Sequence, residues 1–167
     1  MSKTLYLIRH SKSTREIPLI SDIDRPLTEK GYRDAVAMSG VLSDLCKNPD
    51  LILSSPSVRT FSTALIFARA LKYPVNEIVL ENRIYEAGSR DLLAVLNKMD
   101  DKYKTILLFC HNPGATRFLS LLTGGESQHF STSAFAGIKF EVDQWKMISN
   151  DSGTLQVLKQ PRETSFI

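Results

Sequence analysis

The chain has 167 residues, of which 43% are apolar and 23% charged, and its net charge is +3. That size and balance fit one soluble globular domain with a full core, and the charge suits an anionic ligand while falling short of the basic stripe of a nucleic-acid binder. No run approaches the ~18 apolar residues of a membrane span, the N-terminus lacks a secretory apolar region, and two cysteines are too few for a disulfide framework. The expected location is therefore the cytoplasm, with neither nucleic acid nor membrane as partner.

In chain order, Thr4-Leu5-Tyr6-Leu7-Ile8 reads as a short strand buried on both faces. It ends in Arg9-His10 and the small polar run Ser11-Lys12-Ser13-Thr14. Residues 11 to 27 form a polar loop punctuated by Pro18 and Pro26. Thr28 is an N-cap, and Ala35, Met38, Leu42 and Leu45 lie at helical spacing up to about Cys46. After the turn Asn48-Pro49-Asp50, Leu51-Ile52-Leu53 forms a second strand, left by Ser54-Ser55. Ser55 is expected to cap a helix that starts at Pro56 and runs through Thr63, Leu65, Phe67 and Ala70 to Leu71, where Pro74 stops it. Val75 to Leu80 reads as a third strand, 81–90 as a loop, and Leu92, Leu93, Leu96 and Met99 as another helix.

Thr105 to Cys110 is the most apolar strand and ends in His111-Asn112-Pro113-Gly114. Asn112 is expected to cap, and Pro113 to start, a helix carrying Phe118, Leu119 and Leu122, closed by Gly124-Gly125. Ala134 to Val142 and Thr154 to Leu158 read as two strands joined by the turn Ser149 to Gly153. Residues 161–167 read as a tail behind a single domain of residues 1–160. Strands alternating with helices give an α/β fold: a mainly parallel sheet with helices on both faces and an added C-terminal antiparallel hairpin.

Ligands of open parallel sheets sit outside the carboxyl ends of the strands. Three strand ends bring polar groups there: Arg9-His10, Ser54-Ser55 followed by Arg59, and His111-Asn112. Arg9-His10 alone is equally a pair of ordinary polar residues leaving a strand. Together with Arg59 and His111 it fits a phosphoryl group. Guanidinium forks match phosphate oxygens and stay charged, and helix N-termini beginning at Pro56 and Pro113 add N–H donors. A neutral imidazole can attack phosphorus and split the transfer into two steps. A second imidazole, protonated, can stabilise the equatorial oxygens of the transition state.

The Arg9-His10 pair with small Ser11, then Arg25-Pro26-Leu27-Thr28-x-x-Gly31, Ser54-Ser55-Pro56-x-x-Arg59-x-x-x-Thr63 and His111-Asn112-Pro113-Gly114, resembles the histidine phosphatase superfamily. Within it the chain is similar to the short, SixA-type phosphohistidine phosphatase branch, as is Phe130-Ser131-Thr132-Ser133-Ala134. The resemblance implies a phosphoglycerate mutase-like fold, His10 as nucleophile and phosphohistidine carrier, and Arg9, Arg59 and His111 around the phosphate. It implies no metal and no cofactor. Ser11, Ser13 and Asn112 are candidate substrate contacts. Larger relatives carry a general-acid Glu in the loop after the third strand; Glu81 and Glu86 lie there, and Glu86 is the candidate. Ser11 departs from the glycine usual after the Arg-His pair.

The implied activity is hydrolysis of a phosphoryl group carried by a histidine of another protein or by a small phosphate ester. A module that binds phospho-ligands without turnover is the other reading. No large insertion separates the elements, so an open site is expected, which disfavours phosphoglycerate mutase chemistry. Cys110 to Arg117 is one residue too long for the loop of cysteine-based phosphatases, and Pro113 interrupts its N–H donors; Cys110 reads as a buried strand residue. Ser11-Lys12-Ser13-Thr14 lacks the glycines of a nucleotide-binding loop. His129 reads as exposed, and Met38, Met99 and Phe118 as core.

Overall fold

The computed structural model describes residues 1–162, so residues 163–167 of the expected tail lie outside the described chain. Six strands form one sheet: β1 (Lys3–Arg9), β2 (Leu51–Ser54), β3 (Val79–Leu80), β4 (Thr105–Cys110), β5 (Phe135–Phe140) and β6 (Gly153–Lys159). Their order across it is β3-β2-β4-β1-β5-β6. The first four pair in parallel, whereas β5 runs antiparallel to β1 and β6 antiparallel to β5. The mainly parallel sheet with a hairpin at one edge is as the sequence pattern predicts.

Four helices cover the sheet: α1 (Glu29–Leu45), α2 (Val58–Ala70), α3 (Ser89–Asn97) and α4 (Gly114–Thr123). Side chains of a strand alternate between faces, and β1 shows why an almost continuous apolar run was needed. Leu5 and Leu7 pack with Leu92, Val95 and Leu96 of α3 and Phe118, Leu119 and Leu122 of α4. Ile8 packs on the other face with Ala35, Met38 and Leu42 of α1 and Ala64, Phe67 and Ala68 of α2. Met38 and Phe118 are core, Met99 packs against the core from its edge, and Cys110 is buried.

Several boundaries differ from expectation. Thr28 caps α1 by accepting the Gly31 N–H, as expected, but α2 starts at Val58 with Ser57 as cap, accepting from Thr60 N–H. The Ser55 hydroxyl lies 2.8 Å from His111 Nε2 and also accepts the Ser57 N–H at 3.3 Å, in the turn that precedes the helix. Helix α4 starts at Gly114, one residue beyond Pro113, yet Asn112 Oδ1 still accepts the Thr116 N–H. The third strand shrinks to Val79–Leu80 behind a 3₁₀ turn at Val75–Glu77, since β2 offers only Leu53 and Ser54 as partners. Strand β5 stops at Phe140 rather than Val142, and the connection to β6 detours through a 3₁₀ turn that buries Trp145.

Two glycines fix the loops that flank the sheet's carboxyl edge. A Cβ on Gly31 would lie 2.1 Å from the Lys12 carbonyl oxygen, and one on Gly114 2.1 Å from that of Ala87. The N-termini of α1 and α4 therefore press directly on the backbone after β1 and on the Glu86-Ala87 loop.

Candidate active site

His10 follows β1 and is only 8% exposed. Its N–H donates to Cys110 O at 3.1 Å and its C=O accepts from Ser133 N–H at 3.1 Å, so β4 on one side and the turn before β5 on the other hold its backbone. Its Nδ1 lies 2.8 Å from the Ser11 carbonyl. A carbonyl only accepts, so Nδ1 carries the proton and Nε2 keeps its lone pair. His111 follows the neighbouring β4, its ring centroid 5.3 Å from that of His10. Arg59 Nη2 donates to its Nδ1 at 3.3 Å, which places the proton on Nε2, 2.8 Å from Ser55 Oγ.

Burial first pulls both imidazoles below the ordinary 6.5: His10 to about 3 and His111 to about 4. The neighbouring charges of His111, Arg59 and Arg9 add to the effect at His10, and Arg59 does so at His111. Both rings are neutral at pH 7. His111 is held neutral first by its burial and then by the Arg59 guanidinium beside its Nδ1.

Arg9 donates through Nη1 to Phe130 O at 3.0 Å. Arg59, on the first turn of α2, donates through Nη1 to Asp22 O at 2.7 Å and through Nη2 to Asp22 Oδ2 at 3.0 Å. The Nε atoms of Arg9 and Arg59 are both buried without a hydrogen-bond partner. Unpaired buried donors are costly, and the two arginines reach the cavity wall with their side chains all the same.

A cavity of about 680 Å³ opens here, and Arg9, His10, Arg59, His111, Asn112, Ser13 and Glu86 all line it. Ser13 accepts from Arg25 Nη1 at 2.8 Å. Asn112 reaches the wall with its amide anchored: Nδ2 donates one N–H to Phe130 O, and Oδ1 accepts from Thr116 N–H and Oγ1. Glu86 sits on the exposed rim with a φ of 59°. Ser11 is the exception. It is fully buried, its N–H donating to Thr63 Oγ1 and its hydroxyl paired with that of Ser133. Its side chain is a brace, not a substrate contact, and the Ser133 hydroxyl is what accommodates it where a glycine is usual.

The pattern missed three residues. Asp22, on a 3₁₀ turn in the loop after β1, bridges Arg59 and Arg25, and Tyr85 OH donates to it. Tyr85 also stands edge-on to His111, its centroid 5.5 Å away. Arg25 was read only as part of a motif; its place beside an acidic pair, Asp22 and Asp24, was the available signal. The Asp22–Arg59 contact spans 37 positions and has no signature in either segment. The Phe130–Ala134 stretch carries support: Thr132 lines the cavity, and the Phe130 carbonyl receives both Arg9 and Asn112.

The family model of the histidine phosphatase superfamily (branch 1) matches residues 5–88, half of the chain. The chain belongs to the histidine phosphatase superfamily. The matched half contains Arg9, His10, Arg59 and Glu86, with His111 beyond it. An uncharacterised chloroplast protein of Arabidopsis thaliana is 29% identical over 136 residues, covering 74% of this chain; the chain spans 61% of that relative. Among solved structures, a protein assigned as phosphohistidine phosphatase SixA from Agrobacterium tumefaciens is 26% identical, with a TM-score of 0.80 over 95% of this chain and 99% of that one. A SixA protein histidine phosphatase solved with tungstate is 22% identical, with a TM-score of 0.74 over 93% and 95% of the two chains; it shares the fold. A phosphoglycerate mutase from Bacillus anthracis, 15% identical with a TM-score of 0.69, shares it too.

Among the described residues, no helix is long and apolar enough to cross a membrane. Among them also, no group of three or more His, Cys, Asp or Glu side chains could hold a metal ion.

Proposed function

We propose that the chain is a metal-independent phosphatase that transfers a phosphoryl group to His10 and then to water, with a phosphohistidine of another protein as its substrate. One observation carries this reading. His10 presents a neutral Nε2, its opposite nitrogen held by the Ser11 carbonyl, in a cavity it shares with Arg9, Arg59 and His111.

The Nε2 lone pair forms the bond to phosphorus while the bond to the leaving nitrogen or oxygen breaks. His10 keeps its Nδ1 proton, so the phosphorylated ring is cationic and is itself a good leaving group when water attacks. Hydrolysis returns neutral His10 and dihydrogen phosphate. Arg9 and Arg59, which line the cavity, neutralise the oxygens. A phosphoryl dianion beside the imidazoles raises their pKa values, which lets His111 donate in the loaded site. Asn112 and Ser13 complete the wall. Glu86, at the rim, is the carboxyl placed to protonate an ester leaving group; a histidine leaving group, protonated on its second nitrogen, needs no such acid.

The SixA neighbours support the phosphohistidine substrate, and the tungstate in one of them, a tetrahedral oxyanion, supports an anion pocket in this fold. A small phosphate ester fits the same chemistry and is the second reading, favoured by Glu86 at the rim. The deciding experiment is alkaline quench of turnover with labelled substrate. A phosphate that is alkali-stable, acid-labile and absent in His10→Ala supports the reading, and a chelator should leave the rate unchanged. No trapped phosphate, or full activity in His10→Ala, overturns it. Rates on a histidine-phosphorylated protein against p-nitrophenyl phosphate rank the substrates.

A further inference from the structure

The pocket contains its own anion. Asp22 Oδ1 accepts from Arg25 Nε at 3.0 Å, with Arg25 Nη2 also 3.0 Å away in an ion pair, and Oδ2 accepts from Arg59 Nη2 at 3.0 Å and from the Tyr85 hydroxyl. Three hydrogen bonds therefore engage the carboxylate, two of them from guanidinium groups, which also suit a phosphate. The Tyr85 hydrogen bond first, then Arg59 and Arg25, hold the carboxyl far below the usual carboxylate range, so it is ionised wherever the enzyme would work. Asp22 is nonetheless half-exposed, with its side chain at 49%, and sits on a three-residue turn. Arg59 does not depend on that carboxylate alone, because Nη1 is held by the Asp22 backbone carbonyl and Nη2 also reaches His111.

We propose that Asp22 is a resident counter-anion: its carboxylate occupies Arg25 and Arg59 in the empty site and competes with free phosphate for them, so that product does not hold the pocket. The inference rests on the phosphate-pocket reading above. The cavity wall carries Arg9, Lys12, Arg15, Arg25 and Arg59 against Glu16, Asp22 and Glu86, an excess of cations that would retain inorganic phosphate, and Asp22 is the carboxylate paired with Arg25 and Arg59. A fixed negative charge among them lowers affinity for every phosphoryl group. A phosphorylated protein offsets that loss with contacts outside the pocket; free phosphate has none.

The test is calorimetric binding of inorganic phosphate to the full chain, which needs no turnover. Asp22→Asn removes the charge while leaving an acceptor for Arg59 and the backbone carbonyl in place. It should bind phosphate roughly tenfold more tightly than the wild type, a scale discounted for a half-exposed charge. Asp22→Ser carries the same expectation, so a misfolded asparagine variant does not end the test. Product inhibition should strengthen in parallel. If the wild type binds phosphate and both variants bind it equally or more weakly, Asp22 merely positions Arg59 and the counter-anion role is overturned. If no form binds phosphate at all, the pocket reading itself fails.

Discussion

The cavity has two walls of different make. One comes from the carboxyl ends of β1 and β4 and the first turn of α2, where His10, Arg59 and His111 are 8%, 5% and 6% exposed; a backbone carbonyl fixes His10 and a buried hydroxyl His111, while Arg59 is held across the cavity by Asp22. The other comes from loops: Asp22 and Arg25 from the long loop after β1, Tyr85 and Glu86 from the segment before α3. There the polar groups are tied mainly to one another, and Asp22 and Glu86 face solvent. The strand-end wall holds its side chains at fixed separations, and under the proposed mechanism these surround the reacting phosphoryl group; the loop wall carries the solvent-facing carboxylates. Substitutions in the first should therefore act on the phosphoryl transfer itself, and those in the second on selected substrates or on binding.

The largest effect is expected from His10→Ala, which should abolish hydrolysis of p-nitrophenyl phosphate and the alkali-stable phosphoenzyme together. Arg59→Ala should lower kcat/KM by about 10²–10³, the scale of losing one oxyanion donor; a loss below tenfold would move Arg59 to the loop wall. Glu86→Gln should slow phenyl phosphate by about a hundredfold, within the range of a general acid, and p-nitrophenyl phosphate far less, because nitrophenolate leaves without a proton. Equal slowing of both esters would remove Glu86 from the acid's role.

The smallest expected effect is on stability. His10 and His111 have folded-state values of about 3 and 4 against an ordinary 6.5. Below about pH 6.5 the unfolded chain takes up protons on these rings while the folded chain does not. Stability is thus full above that pH and falls as pH drops through the window from 6.5 towards 3. Denaturant midpoints at about pH 7 and pH 4.5 should differ less in the His10→Gln/His111→Gln double variant than in the wild type; an unchanged difference would mean that other groups set the acid limb.

The two walls also differ in how far the sequence announces them. The strand-end residues follow apolar runs whose periodicity marks strand ends, and residues at the carboxyl ends of parallel strands share one edge by topology alone. His10, Arg59 and His111 were legible for that reason, as was the sheet with its hairpin. Asp22 was not, since its contacts depend on how an irregular loop folds back over α2. Ser11 was misjudged on the same ground: it lies in the polar run after β1, and only the fold shows its hydroxyl turned inward to Ser133. The Ser57 cap and the short β3 depend on more local detail, the turn in which Ser55 accepts the Ser57 N–H before α2 and the register of β2.

The backbone of His10 is clasped by Cys110 on one side and Ser133 on the other, partners 100 and 123 positions further along the chain. A nascent chain ending near residue 88 would contain the matched family segment and His10, yet neither of its clasps. Catalytic competence should accordingly arise late in synthesis and in one step with the closing of the sheet, because these contacts join the end of the first strand to distant, later segments of the chain.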